Sequence, residues 1–189
     1  MENILITGIS GQDGIFLTKN LLDKNEELII HGTTRNNSRE FIIKQLKQVG
    51  TNYLQNLKIY NLDLENKNEV ENLVANVRPN KIFNLSGPSS VYDSFNNPQK
   101  TENTILTIFD NLIDVLISKD MKCNFFQASS SEMFTTNPEG KIDESSKLKP
   151  NSPYAKAKTS NHSKVLDLIN EHQWNITSGI MFNHESEFR

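Results

Sequence analysis

Short apolar runs of strand length alternate with longer stretches of helical periodicity along this chain, the pattern of a parallel sheet covered by helices on both faces. Strands are predicted over 4–7, 28–32, 57–61, 81–85, 123–128 and 176–182, all rich in Ile, Leu or Phe. Helices are predicted over 13–24, 39–49, 68–77, 99–118 and 153–172, the last opened by Ser152 followed by Pro153. Right-handed crossovers between such strands produce an α/β, doubly wound, mostly parallel sheet whose ligand crevice lies beyond the carboxyl ends of the strands. Function is therefore expected in the loops that follow the strands. Segments 35–38 and 135–152 read as loops, and the second is long enough to carry a role of its own. The sixth strand falls close to residue 189, so a single domain over 1–189 is expected, without a C-terminal substrate domain.

Composition narrows the partners. Twenty Lys and Arg stand against 23 Asp and Glu, a net charge of −3, so there is no basic excess to bind nucleic acid by counterion release. No apolar stretch approaches the roughly 20 residues that span a bilayer, so no membrane association is expected. A single cysteine, Cys123, cannot close an intrachain disulfide, and the cytoplasm is the expected compartment.

Directly after the first strand comes Gly8-Ile9-Ser10-Gly11-Gln12-Asp13-Gly14, a G-x-x-G-x-x-G run that opens a helix. Glycines at this spacing allow a tight turn and let backbone N–H groups approach a pyrophosphate at the helix N-terminus, as in a Rossmann dinucleotide site. An acidic residue at the end of the second strand would hold the ribose 2′-hydroxyl of NAD. This chain reads His31-Gly32-Thr33-Thr34-Arg35 there, and an arginine suits the 2′-phosphate of NADP. After the third strand, Asp63-Leu64 is placed either to border an adenine or to cap the next helix.

Two further groups carry chemistry. Tyr154 and Lys158 stand four residues apart on a predicted helix, on one face, where an ammonium would stabilise a phenolate and lower the tyrosine pKa. Ser129-Ser130-Ser131-Glu132 is predicted just beyond the fifth strand, where Ser130 can bond a reacting oxygen. Glu132, if desolvated in the crevice, would serve as base and then acid at a carbon. No metal is expected.

The strings ITGISGQDG, the Arg35 loop, Asp63-Leu64, NLSGPSSV at 84–91, QASSSEMF at 127–134, SPYAKAK at 152–158 and FNHES at 182–186 together resemble the GDP-mannose 4,6-dehydratases, extended short-chain dehydrogenases. The resemblance covers essentially the whole chain. It implies that Tyr154 takes the sugar C4 hydroxyl proton while hydride passes from C4 to NADP+, with Lys158 holding the tyrosine and the nicotinamide ribose. It further implies Ser130 beside the C4 oxygen and Glu132 as the group that removes the C5 proton and helps expel the C6 hydroxyl. Cofactor contacts are implied from Gly8, Ile9, Ser10, Gly11, Gln12, Asp13, Arg35, Asp63, Leu64, Leu85, Ser86, Gly87, Pro88, Ser89, Tyr154, Lys158, His184 and Arg189, with Asn183 facing the substrate, GDP-mannose. A homo-oligomer is also implied, the loop from Arg35 onward helping subunits share cofactor.

The chain departs from that pattern at Ser86-Gly87-Pro88, Ser90, Lys100, Phe134 and Glu187-Phe188-Arg189, and Ser130 stands where the family uses threonine. Full members carry roughly as many residues again, which form a nucleotide-sugar lobe. Two readings follow: a working NADP-dependent dehydratase, or a truncated NADP-binding module without turnover. A nucleotide-sugar epimerase or reductase is a third, and it would have no use for the carboxylate of Glu132.

Overall fold

The computed structural model describes residues 1–24, 27–51, 53–134, 140–172 and 174–188. Six parallel strands, β1 (Glu2–Thr7), β2 (Leu28–Thr34), β3 (Leu57–Asn61), β4 (Lys81–Asn84), β5 (Asn124–Ser130) and β6 (Ile176–Met181), form one sheet in the order β3-β2-β1-β4-β5-β6. Every pairing is parallel, which requires a crossover between neighbours. The crossovers are α1 (Gln12–Lys24), α2 (Arg39–Gln48), α3 (Lys67–Val77), α4 (Val91–Asn96) with α5 (Pro98–Ser118), and α6 (Pro153–His172).

Alternation along β1 shows why both faces are covered. Ile4 and Ile6 point into a cluster with Ile15 and Leu22 of α1 and Ile42 and Leu46 of α2. Leu5 points the other way, into a cluster with Val70 and Val74 of α3, Phe109 and Leu112 of α5 and Val165 of α6. A strand with apolar residues on both sides is stable only between two helical layers. Helix starts follow local chemistry: Ser38 accepts from the Phe41 N–H at 3.2 Å, and Ser152 Oγ accepts from the Ala155 N–H at 3.0 Å just before Pro153. Among the described residues no helix is long and apolar enough to cross a membrane.

All six predicted strands are present. β5 runs on through Ser130, so Ser129 and Ser130 belong to the strand, and Ser131–Met133 form a 3₁₀ turn after it. The short helix α4 had no counterpart in the sequence reading. Of the long loop, Phe134 bridges to Leu148, while residues 135–139 lie outside the described residues.

A polar group is buried in the middle of β2. His31 is 4% exposed, its Nδ1 2.9 Å from the Tyr60 hydroxyl and its Nε2 3.3 Å from Asn3 Oδ1. Burial, helped by the nearby Lys58 charge, lowers its pKa from 6.5 to about 4. The unfolded chain therefore binds a proton that the native protein refuses between these values. This contribution to stability is complete above pH 6.5 and is lost as pH falls towards 4, up to about 3 kcal/mol. Urea denaturation at pH 7.5 and 5 should show that loss in the wild type and a flatter dependence in His31→Gln. Equal slopes would remove His31 as the cause.

Candidate functional site

The carboxyl ends of the strands open into a cleft of about 770 Å3. Its floor is the loop between β1 and α1. Gly8 has φ of +71°, and a Cβ there would lie 2.9 Å from Ser86 Cα, so the loops after β1 and β4 touch backbone to backbone. Gly11 donates its N–H to Gly8 O at 3.0 Å, closing the turn that starts the helix. Gly8, Ser10, Gly11, Gln12 and Asp13 line the cleft as the sequence predicts. Ile9 does not. Its side chain is fully buried, its N–H is used by Thr33 O at 3.1 Å, and it fills the space beside Gly32.

Leu85, Ser86, Gly87, Pro88 and Ser89 form the middle wall. At the far end lie Arg35, Asp63 and Leu64. Asn66, whose side chain accepts from Asn68 N–H, caps α3, so of the two roles open to Asp63 the structure selects the cleft border. Thr33, Thr34, Leu62, Thr104 and Ile108 line the same region and were missed by sequence reasoning. Thr104 and Ile108 come from the middle of α5, where nothing in the local pattern separates a cleft residue from a core one.

Ser130, Glu132 and Tyr154 line the opposite end. Ser130 is 6% exposed and accepts from the Glu132 N–H at 3.2 Å, which turns the chain so that Glu132 follows at the rim. Lys158 lies beneath the wall rather than in it. Its ammonium donates to Ala128 O at 2.8 Å and sits 5.7 Å from the Tyr154 ring centroid. Burial lowers its pKa from 10.5 to about 8.

Two expectations are corrected here. The Tyr154 phenol is raised, not lowered: burial dominates, the Ser130 hydroxyl opposes it, and the Glu132 charge adds to it. Glu132 is exposed, so the described residues do not supply the desolvation that its acid–base role was made conditional upon.

Beneath the site runs a buried polar chain. Asn84 Oδ1 accepts from Thr7 Oγ1 at 2.6 Å and from Ser86 Oγ at 2.8 Å, and its Nδ2 donates to Gln127 Oε1 at 2.8 Å. Gln127 Nε2 donates to Ala128 O at 3.0 Å, the oxygen that also holds Lys158. The strand before the glycine loop and Lys158 are thus joined through β1, β4 and β5.

The segment after β6 folds back over α1. Asn183 and His184 line the cleft. His184 Nδ1 is 2.7 Å from Asp13 Oδ1, Gln12 Nε2 donates to His184 O at 3.0 Å, and Ser186 Oγ donates to Gln12 Oε1 at 2.7 Å. Phe188 packs on Phe16 at 5.7 Å between centroids. Arg189 lies outside the described residues.

The turn that opens α1 borders the cleft with Gly8, Gly11 and Gly14 among its lining residues, and a Cβ on Gly14 would strike Gly8 O at 2.6 Å, so the turn closes this tightly only with glycine there. The strand order and the Tyr154–Lys158 pair on α6 define a Rossmann-type α/β fold of the short-chain dehydrogenase class. Within that class, the chain belongs to the GDP-mannose 4,6 dehydratase family, whose profile matches residues 5–189. It is 31% identical over 193 residues to GDP-mannose 4,6 dehydratase 1 of Arabidopsis thaliana, covering 98% of this chain and 52% of that protein. In structure it is similar to the dTDP-glucose 4,6-dehydratase of Streptomyces venezuelae with NAD and TYD bound, with TM-score 0.82, 18% identity and coverage of 99% and 57%. It is also similar to the UDP-Glc/GlcNAc 4-epimerase of Campylobacter jejuni, with TM-score 0.80, 20% identity and coverage of 96% and 53%. The chain spans about half the length of the relatives it matches. The fold alone thus accommodates dehydratases and epimerases.

Proposed function

We propose that this chain is the NADP-binding, catalytic portion of a GDP-mannose 4,6-dehydratase, which converts GDP-mannose to GDP-4-keto-6-deoxymannose and water. The observation that carries the reading is Glu132 at the rim of the cleft that Ser130 and Tyr154 also line, because elimination needs a carboxylate that epimerisation does not. NADP+, when bound, would supply the hydride acceptor for C4 and the hydride donor for C6. Tyr154 takes the C4 hydroxyl proton, and Ser130 donates a hydrogen bond to that oxygen. Lys158, fixed on Ala128 O, orients the tyrosine and the cofactor ribose. Glu132 removes the C5 proton and passes a proton to the departing C6 hydroxyl. Gly8, Ser10, Gly11, Gln12 and Asp13 border the pyrophosphate, Asn183 faces the sugar, and Arg35 pairs with the 2′-phosphate that separates NADP from NAD. The cytoplasm, where a lone buried thiol such as Cys123 stays reduced, and a homo-oligomeric state complete the proposal.

Calorimetric titration with NADP+, then with GDP-mannose in its presence, separates cofactor from substrate recognition, and product analysis follows. Binding of both with a 4-keto-6-deoxy product supports the reading. Binding of NADP+ alone identifies a cofactor module, and a C4 epimer or a reduced sugar without water loss defeats it. Arg35→Glu should weaken NADP+ binding by about 10- to 100-fold and change NAD+ binding little. Unchanged NADP+ affinity would remove Arg35 from the site.

A further inference from the structure

Arg35 is 56% exposed on its side chain and already has a partner: its Nη1 lies 3.3 Å from Glu65 Oε1, 30 residues along the chain. Glu65 is not a loose surface acid. Its other oxygen, Oε2, accepts from Thr104 Oγ1 of α5 at 3.0 Å, and its N–H donates to Asp63 Oδ1 at 3.0 Å. Asn111 Nδ2, from two helical turns further along α5, donates to Leu64 O at 2.9 Å and to Glu65 O at 3.1 Å. Backbone and side chain both have partners besides Arg35, which hold the carboxylate beside the guanidinium.

Building on the dinucleotide reading above, we infer that Glu65 is a specificity-determining residue that competes for the Arg35 guanidinium and weakens the preference for a 2′-phosphorylated dinucleotide. Glu65 does not line the cleft, whereas Arg35, Asp63, Leu64 and Thr104 do, so it acts through the arginine. A 2′-phosphate carries close to two negative charges at neutral pH and needs the guanidinium fork for its strongest contact. To gain that contact it must take the guanidinium from Glu65 or share it and face the fixed carboxylate's repulsion. A dinucleotide with a free 2′-hydroxyl meets neither obstacle. Glu65 therefore narrows the affinity gap between the two cofactors without touching either.

The test is direct titration of the whole chain with NADP+ and with NAD+, in wild type, Glu65→Gln and the double variant Glu65→Gln with Arg35→Gln. Glutamine keeps an oxygen for Thr104, and a urea curve checks that the fold is retained. The expected result is NADP+ binding tightened about fivefold in Glu65→Gln with NAD+ unchanged within twofold, and no such gain once Arg35 is also replaced. The gain in NADP+ affinity should be largest at low salt, because the competition is between exposed charges. Wild-type binding of NADP+ with an unchanged or weakened affinity in Glu65→Gln overturns the inference while leaving the proposed function standing. Binding of neither dinucleotide by the wild type overturns both.

Discussion

Gly14→Ala is expected to destabilise the protein by about 3 kcal/mol and to abolish dinucleotide binding, although alanine is the better helix former. The added Cβ would lie 2.6 Å from Gly8 O and 2.7 Å from Ile9 Cα and Ile9 O. All three are backbone atoms of the same turn, so none can rotate aside. The helix-propensity gain of roughly 1 kcal/mol is smaller than the cost of displacing the turn. Gly11→Ala provides the comparison, since its Cβ would meet only Gly8 O at 3.4 Å, a neighbour that needs to give by a few tenths of an ångström at most. Urea midpoints and NADP+ titrations of both variants decide the matter. Similar losses in the two would show that side-chain clash is not what the third glycine avoids.

Gln127→Leu is expected to cost about 2–3 kcal/mol, because it strands a donor in the middle of the sheet. Asn84 is 2% exposed and Gln127 2% exposed, so no solvent replaces the 2.8 Å bond between them. A chain of this size should melt roughly 5–10 °C lower. Asn84→Leu alone should cost at least as much, since Thr7 and Ser86 also lose their acceptor. The double variant should fall short of the sum, as the stranded amide disappears with its residue. Strict additivity would mean that the two amides are not coupled. Because Gln127 also holds the carbonyl on which Lys158 rests, the loss should carry a raised KM for the cofactor in any active form.

The layering of this fold was legible because β1 and β5 carry apolar residues on both sides and the long helices keep one apolar stripe each. The helix α4 was not, for a physical reason: among its six residues only Ser94 is buried, while Tyr92 and Phe95 face outward, so no apolar period exists to read. Ser129 and Ser130 looked like loop residues by composition. In the sheet Ser129 Oγ is 2.6 Å from Ser178 Oγ, which His162 Nδ1 approaches at 2.7 Å, and hydroxyls paired in this way are compatible with a strand.

At the candidate site, motif spacing located the glycine loop, the serine–glutamate turn and the Tyr154–Lys158 pair, since these are local. What it could not contain is direction. The i,i+4 spacing brings the lysine to the tyrosine's side of α6, but the ammonium goes to the carbonyl of Ala128 on a neighbouring element, and burial then decides the sign of the phenol's shift. The Arg35–Glu65 pair is equally invisible in one dimension, because it joins the loops that follow β2 and β3.

The clasp between residues 12–13 and 184–186 also bears on how the protein is made. Its bonds connect positions 171 to 174 residues apart, and long-range closure of this kind is slow and comes late. During synthesis residues 12–13 leave the ribosome long before residues 184–186, so the glycine turn is made well before its clasp can close. A nascent chain lacking residues 184–186 would present α1 without its cover, exposing Phe16 without Phe188 to chaperones and to other chains.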